Sequence, residues 1–355
     1  MYLNEKELLD WLKSESVKKQ GSYFIGDDAA FLQDFENLYI TTDSLVEDVH
    51  FVRDVFSMYD LCYRAVSTSL SDLAAMATKP KYILVSLAAP DDFNIKEFFV
   101  DLLEISNKFE VTLVGGDISN SKLVFINVTA IGSDLGFGEF GSNKKFDKYF
   151  GRSDHISLME NLKENQDIFV TGPLGLSDRG LKLLNNLNET VAKSNYKSDY
   201  TTSFDKRFDR SSERVKTLSK YLTEFERDCL IKYLRPEAKI KEAIIAKSCG
   251  AEAITDISDS LAYSLESISK ASGVGIVLVE VPKVVSISSS DALYKGEDYE
   301  IVFSIDHKKT DLLFQEFKAN DLQTPIYLGY SDPNVKGVLL NGRNIDPKGF
   351  EHKFS

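Results

Sequence analysis

Apolar residues recur with two periods along this chain, and the alternation between them sets out its elements. Leu61, Ala65, Val66, Leu70, Leu73 and Met76 fall at three- and four-residue intervals, which predicts a helix over 59–77 with one apolar face, and Pro80 stands just past its end as a stop. Leu8, Leu9 and Leu12 predict a shorter amphipathic helix over 5–12. Phe24 to Leu32 reads as two extended pieces around a Gly26-Asp27-Asp28 turn, followed by a β-prone run from Leu38 that is expected to stop at Thr41, Thr42 and Asp43. Runs at 82–88, 111–114 and 123–131 read as strands, with a helix over 98–109 between the first two. Interleaved strands and helices define an α/β or α+β domain.

Residues 133–158 break the pattern with mixed glycines, phenylalanines and charges, longer than most ordered loops, and are expected to connect two domains. The pattern resumes with a strand at 167–171, a helix containing Leu181–Leu184, and a polar stretch at 185–210 expected to be an insertion. Val215, Leu218, Leu222, Phe225 and Cys229 keep helical spacing, which predicts one helix, and another follows Arg235-Pro236 through Ile244–Ala246. The last third alternates again: helix 261–271, strand 274–281, strand 300–305, helix 312–318 and strand 325–328. At 355 residues two domains are expected. Residues 1–135 form the first, 136–160 a linker, and 161–355 a C-terminal α/β domain carrying the 185–210 insertion.

Charge narrows the classes of function. The net charge of −13 disfavours a nucleic-acid binder, which needs a basic face. Three scattered cysteines without C-x-x-C spacing indicate neither a disulfide framework nor a zinc site. The acidic opening lacks the basic start of a secretory signal, and no apolar run reaches the length of a membrane span, so a cytosolic protein is expected.

The acidic residues gather at turns: Gly26-Asp27-Asp28, Thr41-Thr42-Asp43, Ser71-Asp72, Gly115-Gly116-Asp117, Asp256-Ile257-Ser258-Asp259 and Gly296-Glu297-Asp298. One such cluster is a polar turn, whereas six suggest a carboxylate-lined pocket for hard cations such as Mg²⁺. Asp72 sits among small and apolar residues, where an ionised carboxylate needs a metal, a lysine or a helix end beside it. Asp256 and Asp259 are three apart at the start of a helical pattern, a spacing that places both on one helix face or makes one an N-cap. Gly172 to Gly180 leads from a strand into a helix as phosphate loops do, but matches neither nucleotide-binding glycine motif, so a structural turn and an anion contact stay open. His50, flanked by Val49 and Phe51, reads either as a packed histidine or as a ligand. With no Arg or Lys cluster in these motifs, bound cations are the available counter-charge for phosphates.

Gly26-Asp27-Asp28-Ala29-Ala30, Thr41 to Phe51, Leu70-Ser71-Asp72-Leu73-Ala74-Ala75-Met76 and Val114-Gly115-Gly116-Asp117 together resemble the thiamine-monophosphate kinase family, of the aminoimidazole ribonucleotide synthetase-like ATP-binding superfamily. Val170-Thr171-Gly172, Arg235-Pro236, Asp256 to Asp259, Gly296 to Glu300 and Lys348-Gly349-Phe350 continue the resemblance in family order. The resemblance implies phosphorylation of thiamine monophosphate by ATP, assisted by several Mg²⁺ ions, without a protein nucleophile. It also implies a homodimer pairing N-terminal mixed sheets, with no nucleic-acid or membrane partner. By motif position Asp28, Thr41, Thr42, Asp43, Asp72, Asp117, Asp256 and Asp259 are the implied Mg²⁺ ligands. Gly116, Asp117 and Ser258 are the implied ATP contacts, and His50, Glu297 and Phe350 the implied acceptor contacts. The chain departs from the family pattern at Asp48 and Lys295, where glycine is usual, and at Ser260, where Asp-Gly is usual. Met159 stands near the position of the family's nucleotide-contacting arginine. Two sister enzymes of the superfamily, selenophosphate synthetase and the hydrogenase-maturation carbamoyl-dehydrating enzyme, use a reactive Cys or selenocysteine near a terminus, where this sequence has none, so neither is expected. The alternatives are another ATP-dependent synthetase of the superfamily and a non-catalytic dimer that binds ATP or a thiamine phosphate.

Overall fold

The computed structural model describes residues 38–133, 158–186 and 205–346. The expected helix at 5–12, the Phe24–Leu32 pair, most of the 136–160 connection and residues 187–204 of the polar stretch lie outside them. Two compact units emerge, and they do not follow chain order: 38–73, 80–133, 186 and 205–223 form one, and 74–79, 158–185 and 224–346 the other.

The first unit is built on a four-stranded sheet of β1 (Leu38–Val46), β2 (Lys79–Ala89), β3 (Thr112–Asn120) and β4 (Phe125–Ser133), in the order β1-β4-β2-β3. Helix α1 (Met58–Ala75) buries Leu61, Val66, Leu70 and Leu73, the stripe that the spacing predicted. Helix α2 (Ile95–Lys108), capped by the Asn94 side chain on the Glu97 N–H, joins the parallel pair β2 and β3. β3 outruns its expected end at Gly115. An extra residue, Val114, is absorbed as a bulge between the Ile83–Leu113 and Leu84–Gly115 pairs, and pairing continues to Asn120.

Residues 205–223 belong to this unit although they lie far along the chain. Arg210 pairs with Asp101 and Glu104 of α2 and lies 4.6 Å over the Tyr59 ring, while Ser212 Oγ donates to the Val55 carbonyl at 2.6 Å. After helix α3 (Leu176–Asn185), the single helix expected through 215–229 is two, α4 (Glu213–Ser219) and α5 (Glu224–Leu234). Apolar spacing misses this break because Leu222 keeps the helical interval while being buried in the turn itself.

The second unit centres on a seven-stranded sheet among the described residues, in the order β11-β10-β7-β9-β5-β8-β6. These are β5 (Gln166–Val170), β6 (Ala251–Asp256), β7 (Gly275–Leu278), β8 (Ile301–Asp306), β9 (Ile326–Asp332), β10 (Val338–Leu340) and β11 (Arg343–Asn344). Both faces are covered. Ile168, Val170 and Val302 pack with Leu261, Leu265 and Ile268 of helix α7 (Leu261–Ser272). Phe169, Ile301 and Phe303 pack on the other face with Ala243 and Ala246 of α6 (Ile240–Ser248) and with Leu313 and Phe317 of α8 (Thr310–Ala319). Alternate residues thus face opposite apolar layers, which is why Ile168-Phe169-Val170 is an unbroken apolar run. Each fully buried side chain such as Phe317 contributes roughly 1.5–3 kcal/mol.

Candidate active site

In the first unit β1 does not stop at Thr41. It pairs antiparallel with β4 from Leu38 through Val46, with Thr41 opposite Ala130 and Asp43 opposite Val128. The expected polar turn is strand because β4 supplies ladder partners that local propensity cannot reveal. Strand alternation then divides the cluster. Thr41 and Asp43 share one face, and Thr42 takes the other, where its Oγ1 lies 3.1 Å from Thr129 Oγ1 and accepts from Asn127 Nδ2 at 3.0 Å. Thr41 Oγ1 donates to Asp72 Oδ2, joining the strand to α1. Burial, together with the like charge of Asp72, pushes the Asp43 carboxyl up to about 6. Burial also raises Asp72, against the lowering effect of the Thr41 hydrogen bond.

Two half-buried carboxylates that repel one another, with a hydroxyl between the elements, suit a hard cation by donor chemistry. Among the described residues no three His, Cys, Asp or Glu side chains come together as a metal cage. Mg²⁺ does not need one, since it keeps several waters and binds through one or two carboxylates plus substrate phosphates. Asp28 lies outside the described residues.

Asp117 stands exposed on β3, opposite Ser86 in register. Among the described residues β1 and β3 are the two edges of the sheet, three inter-strand steps apart, or about 14 Å at roughly 4.8 Å per step. That span is too long for one ion to join Asp43 and Asp117. Gly116, before it, lies against β2 so closely that a Cβ would overlap the Val85 carbonyl oxygen. Gly116→Ala is therefore expected to lower stability by about 1–3 kcal/mol or more, because backbone and not a flexible side chain must move. A urea midpoint unchanged from wild type would contradict this.

His50 follows a tight reversal closed by the Glu47–Phe51 bridge. Asp48 within it has φ +65°, the left-handed region that glycine enters freely and Asp tolerates, which accounts for the family's glycine there. The Val46 N–H donates to His50 Nδ1 at 3.0 Å, so in the neutral ring the proton sits on Nε2. His50 is thereby a donor at Nε2, a polarity suited to an anionic group.

In the second unit Asp256 is the buried last residue of β6, and helix α7 begins only at Leu261. The expected shared helix face of Asp256 and Asp259 is therefore replaced by a strand end and a turn. Ser260 is the N-cap, accepting from the Tyr263 N–H at 3.1 Å, so the serine fills the capping role that either aspartate was expected to take. The Ser258 carbonyl accepts from the Glu297 N–H at 2.6 Å, and the Tyr299 N–H donates to Ile257 O at 2.9 Å. Gly296 packs directly on this turn, where a Cβ would overlap the Ser258 and Asp259 carbonyls. Glu297 and Ser258, implied acceptor and nucleotide contacts, thus stand on two loops laced through their backbones. Phe350 lies outside the described residues, and Met159 is an exposed residue of a single 3₁₀ turn.

The Gly172–Ser177 turn resolves as structural. Its Gly175 and Ser177 N–H groups, at the start of α3, donate to the buried Asp298 carboxylate at 2.6 and 3.0 Å. The loop binds an anion, as its sequence suggested, but one from its own chain. Sequence reasoning named Asp298 and its neighbour Glu300 only as members of an acidic motif and gave neither a role; Glu300 accepts from Thr171 Oγ1 at 2.6 Å and pairs with Lys232. The available signal was a pair of carboxylates, two apart, opening the apolar strand β8.

The first unit carries a recognised domain signature: residues 26–133 match the AIR synthase related protein, N-terminal domain. Over nearly its whole length the chain is 31% identical to the thiamine-monophosphate kinase of Buchnera aphidicola subsp. Schizaphis graminum (strain Sg), covering 99% of both chains. It is 29% identical to that of Bacillus subtilis (strain 168), covering 92% of both. Among solved structures, AaThiL complexed with AMPPCP and TMP aligns with a TM-score of 0.67 at 25% identity, covering 99% of both chains. The chain belongs to the thiamine-monophosphate kinase family. Among the described residues no helix is long and apolar enough to cross a membrane.

Proposed function

We propose that this protein transfers the γ-phosphoryl group of ATP directly to the phosphate of thiamine monophosphate, giving thiamine diphosphate and ADP. A phosphate oxygen of the acceptor attacks the γ-phosphorus in line as the bond to the β-phosphate oxygen breaks. The observation that carries this reading beyond family membership is the Asp43–Asp72 pair, both raised by burial, with the charge of Asp72 raising Asp43 further. Such a pair fits Mg²⁺, which when bound neutralises carboxylates and phosphates together. Thr41, Thr42, Asp43, Asp72 and Asp117 of the first unit, with Asp28, Asp256 and Asp259, are assigned as ligands to several such ions. Thr42 faces away from Asp43, so a role for it runs through its backbone carbonyl.

Gly116, Asp117 and Ser258 are assigned to ATP, and His50, Glu297 and Phe350 to the acceptor. His50 orients an acceptor anion through Nε2–H. A protein nucleophile has little support: all three cysteines are buried, and burial pushes the Cys229 and Cys249 thiols up to about 12 and 11. The reaction then rests on positioning and charge. Exposed Leu38 and Ile40 on the edge strand β1 support a homodimer through this sheet. A cytosolic setting belongs to the same reading, as does the domain division at 136–160 once residues 205–223 are assigned to the first unit.

Purified protein given ATP, thiamine monophosphate and excess Mg²⁺ is expected to form thiamine diphosphate and ADP in equal amounts. Absence of that product, together with turnover of formylglycinamidine ribonucleotide, would assign the protein to a sister synthetase. Binding of both ligands without any turnover would favour the non-catalytic dimer.

A further inference from the structure

The Gly296–Glu300 segment bends sharply, with Glu297 at φ +69° and Tyr299 at φ +50°. Neither residue is one that readily takes the left-handed region, so the surrounding structure must hold the bend. Two attachments do so. One is the backbone lacing to Ile257 and Ser258 already described. The other is Asp298, whose fully buried carboxylate sits between the two strained residues and accepts from the Gly175 and Ser177 N–H groups. Those donors are themselves fixed, because they stand at the start of helix α3, the next helix after β5.

We propose that Asp298 is a positioning residue that holds the Glu297 side chain in register with Ser258. The inference rests on the assignment of Glu297 to the acceptor and of Ser258 to ATP. Its physical basis is the two-point acceptance: one carboxylate oxygen takes each N–H, so the loop cannot pivot about a single bond. The side chains on either side of Asp298 then have one orientation relative to the β6–α7 turn. Asp298 touches neither substrate and acts only through its neighbours.

Asp298→Asn keeps the shape but leaves one of the two N–H groups facing an amide NH₂. Two readouts are expected to change. Exchange of the Glu297 and Tyr299 amide hydrogens quickens by about tenfold or more while β5 and β8 stay protected, as local opening predicts. The KM for thiamine monophosphate rises about tenfold or more, since a small misplacement of a positioning group is costly, while the KM for ATP stays within about twofold. In a Glu297→Gln background the same Asp298→Asn change is expected to raise that KM little further, because residues acting as one unit are not additive.

Unchanged amide exchange, equal rises in both KM values, or full additivity with Glu297→Gln would each overturn the positioning role. Lack of thiamine diphosphate formation by the wild type strikes the proposed function, and the exchange experiment still decides whether Asp298 holds the loop. If Asp298→Asn does not fold, Ser177→Pro removes one donor from the first turn of α3, where proline is tolerated, and is read in the same way.

Discussion

Asp72→Asn is expected to lower kcat/KM for phosphoryl transfer by about 10²–10³-fold or more, the scale seen when one preorganised electrostatic group is removed from an active site. The amide keeps the size of the carboxylate and can still accept from Thr41 Oγ1, so the link between β1 and α1 survives. What is lost is charge. Saturating ligand at one hundred times Kd stabilises a native state by about 2.7 kcal/mol, which corresponds to a rise of roughly 5–10 °C in Tm for domains of this size. MgATP is expected to produce such a rise in the wild type and little of it in the variant. The cation-free variant is expected to be as stable as wild type or more so, because Asp43 no longer faces a like charge in a half-buried place. Calorimetry with and without MgATP, beside steady-state kinetics, checks both halves. A variant that unfolds without ligand, yet turns over normally once refolded, would make Asp72 structural.

The second large effect is a reversal of the usual pH dependence at Asp43. Its carboxyl titrates at about 6 in the folded protein against 3.8 for the ordinary group. The folded state therefore binds this proton more tightly than the unfolded chain does. The resulting stability is fully present below pH 3.8 and is lost as the pH rises through about 6. Two pKa units correspond to roughly 3 kcal/mol at 1.36 kcal/mol per unit, and partial solvation of the group reduces this to about 1–3 kcal/mol. Other carboxylates titrate in the same range, Asp298 among them, also raised to about 6 by burial. The measurement is therefore a difference: unfolding free energy of wild type minus that of Asp43→Asn, from pH 4 to pH 7.5 without divalent cations. That difference is expected to fall as pH rises, and added Mg²⁺ is expected to restore it at the alkaline end. A flat difference curve would remove Asp43 from the cation site.

Much of the fold was legible because it follows from periodicity. The stripe Leu61–Leu73 must form a helix to share one face, and the run Ile168-Phe169-Val170 must lie between two apolar layers. Both are consequences of side-chain spacing and of the cost of leaving apolar surface in water. Residue order along motifs also carried the family. Two kinds of feature were beyond local pattern. One was pairing. β1 runs on through Thr41, Thr42 and Asp43 because β4 satisfies its backbone, and only that pairing assigns Thr41 and Asp43 to one face and Thr42 to the other. The other was the partner of a buried charge. Nothing near Asp298 in the chain announces the Gly175 and Ser177 N–H groups more than 120 residues away, |i−j| being 123 and 121. Likewise nothing near Asp72 announces Thr41, 31 residues before it. Spacing along a chain reports which side chains share a face, because the backbone repeat is fixed. Which distant group meets a carboxylate is decided when the layers close, since a buried charge is tolerated only where the closed structure brings it a donor or a cation.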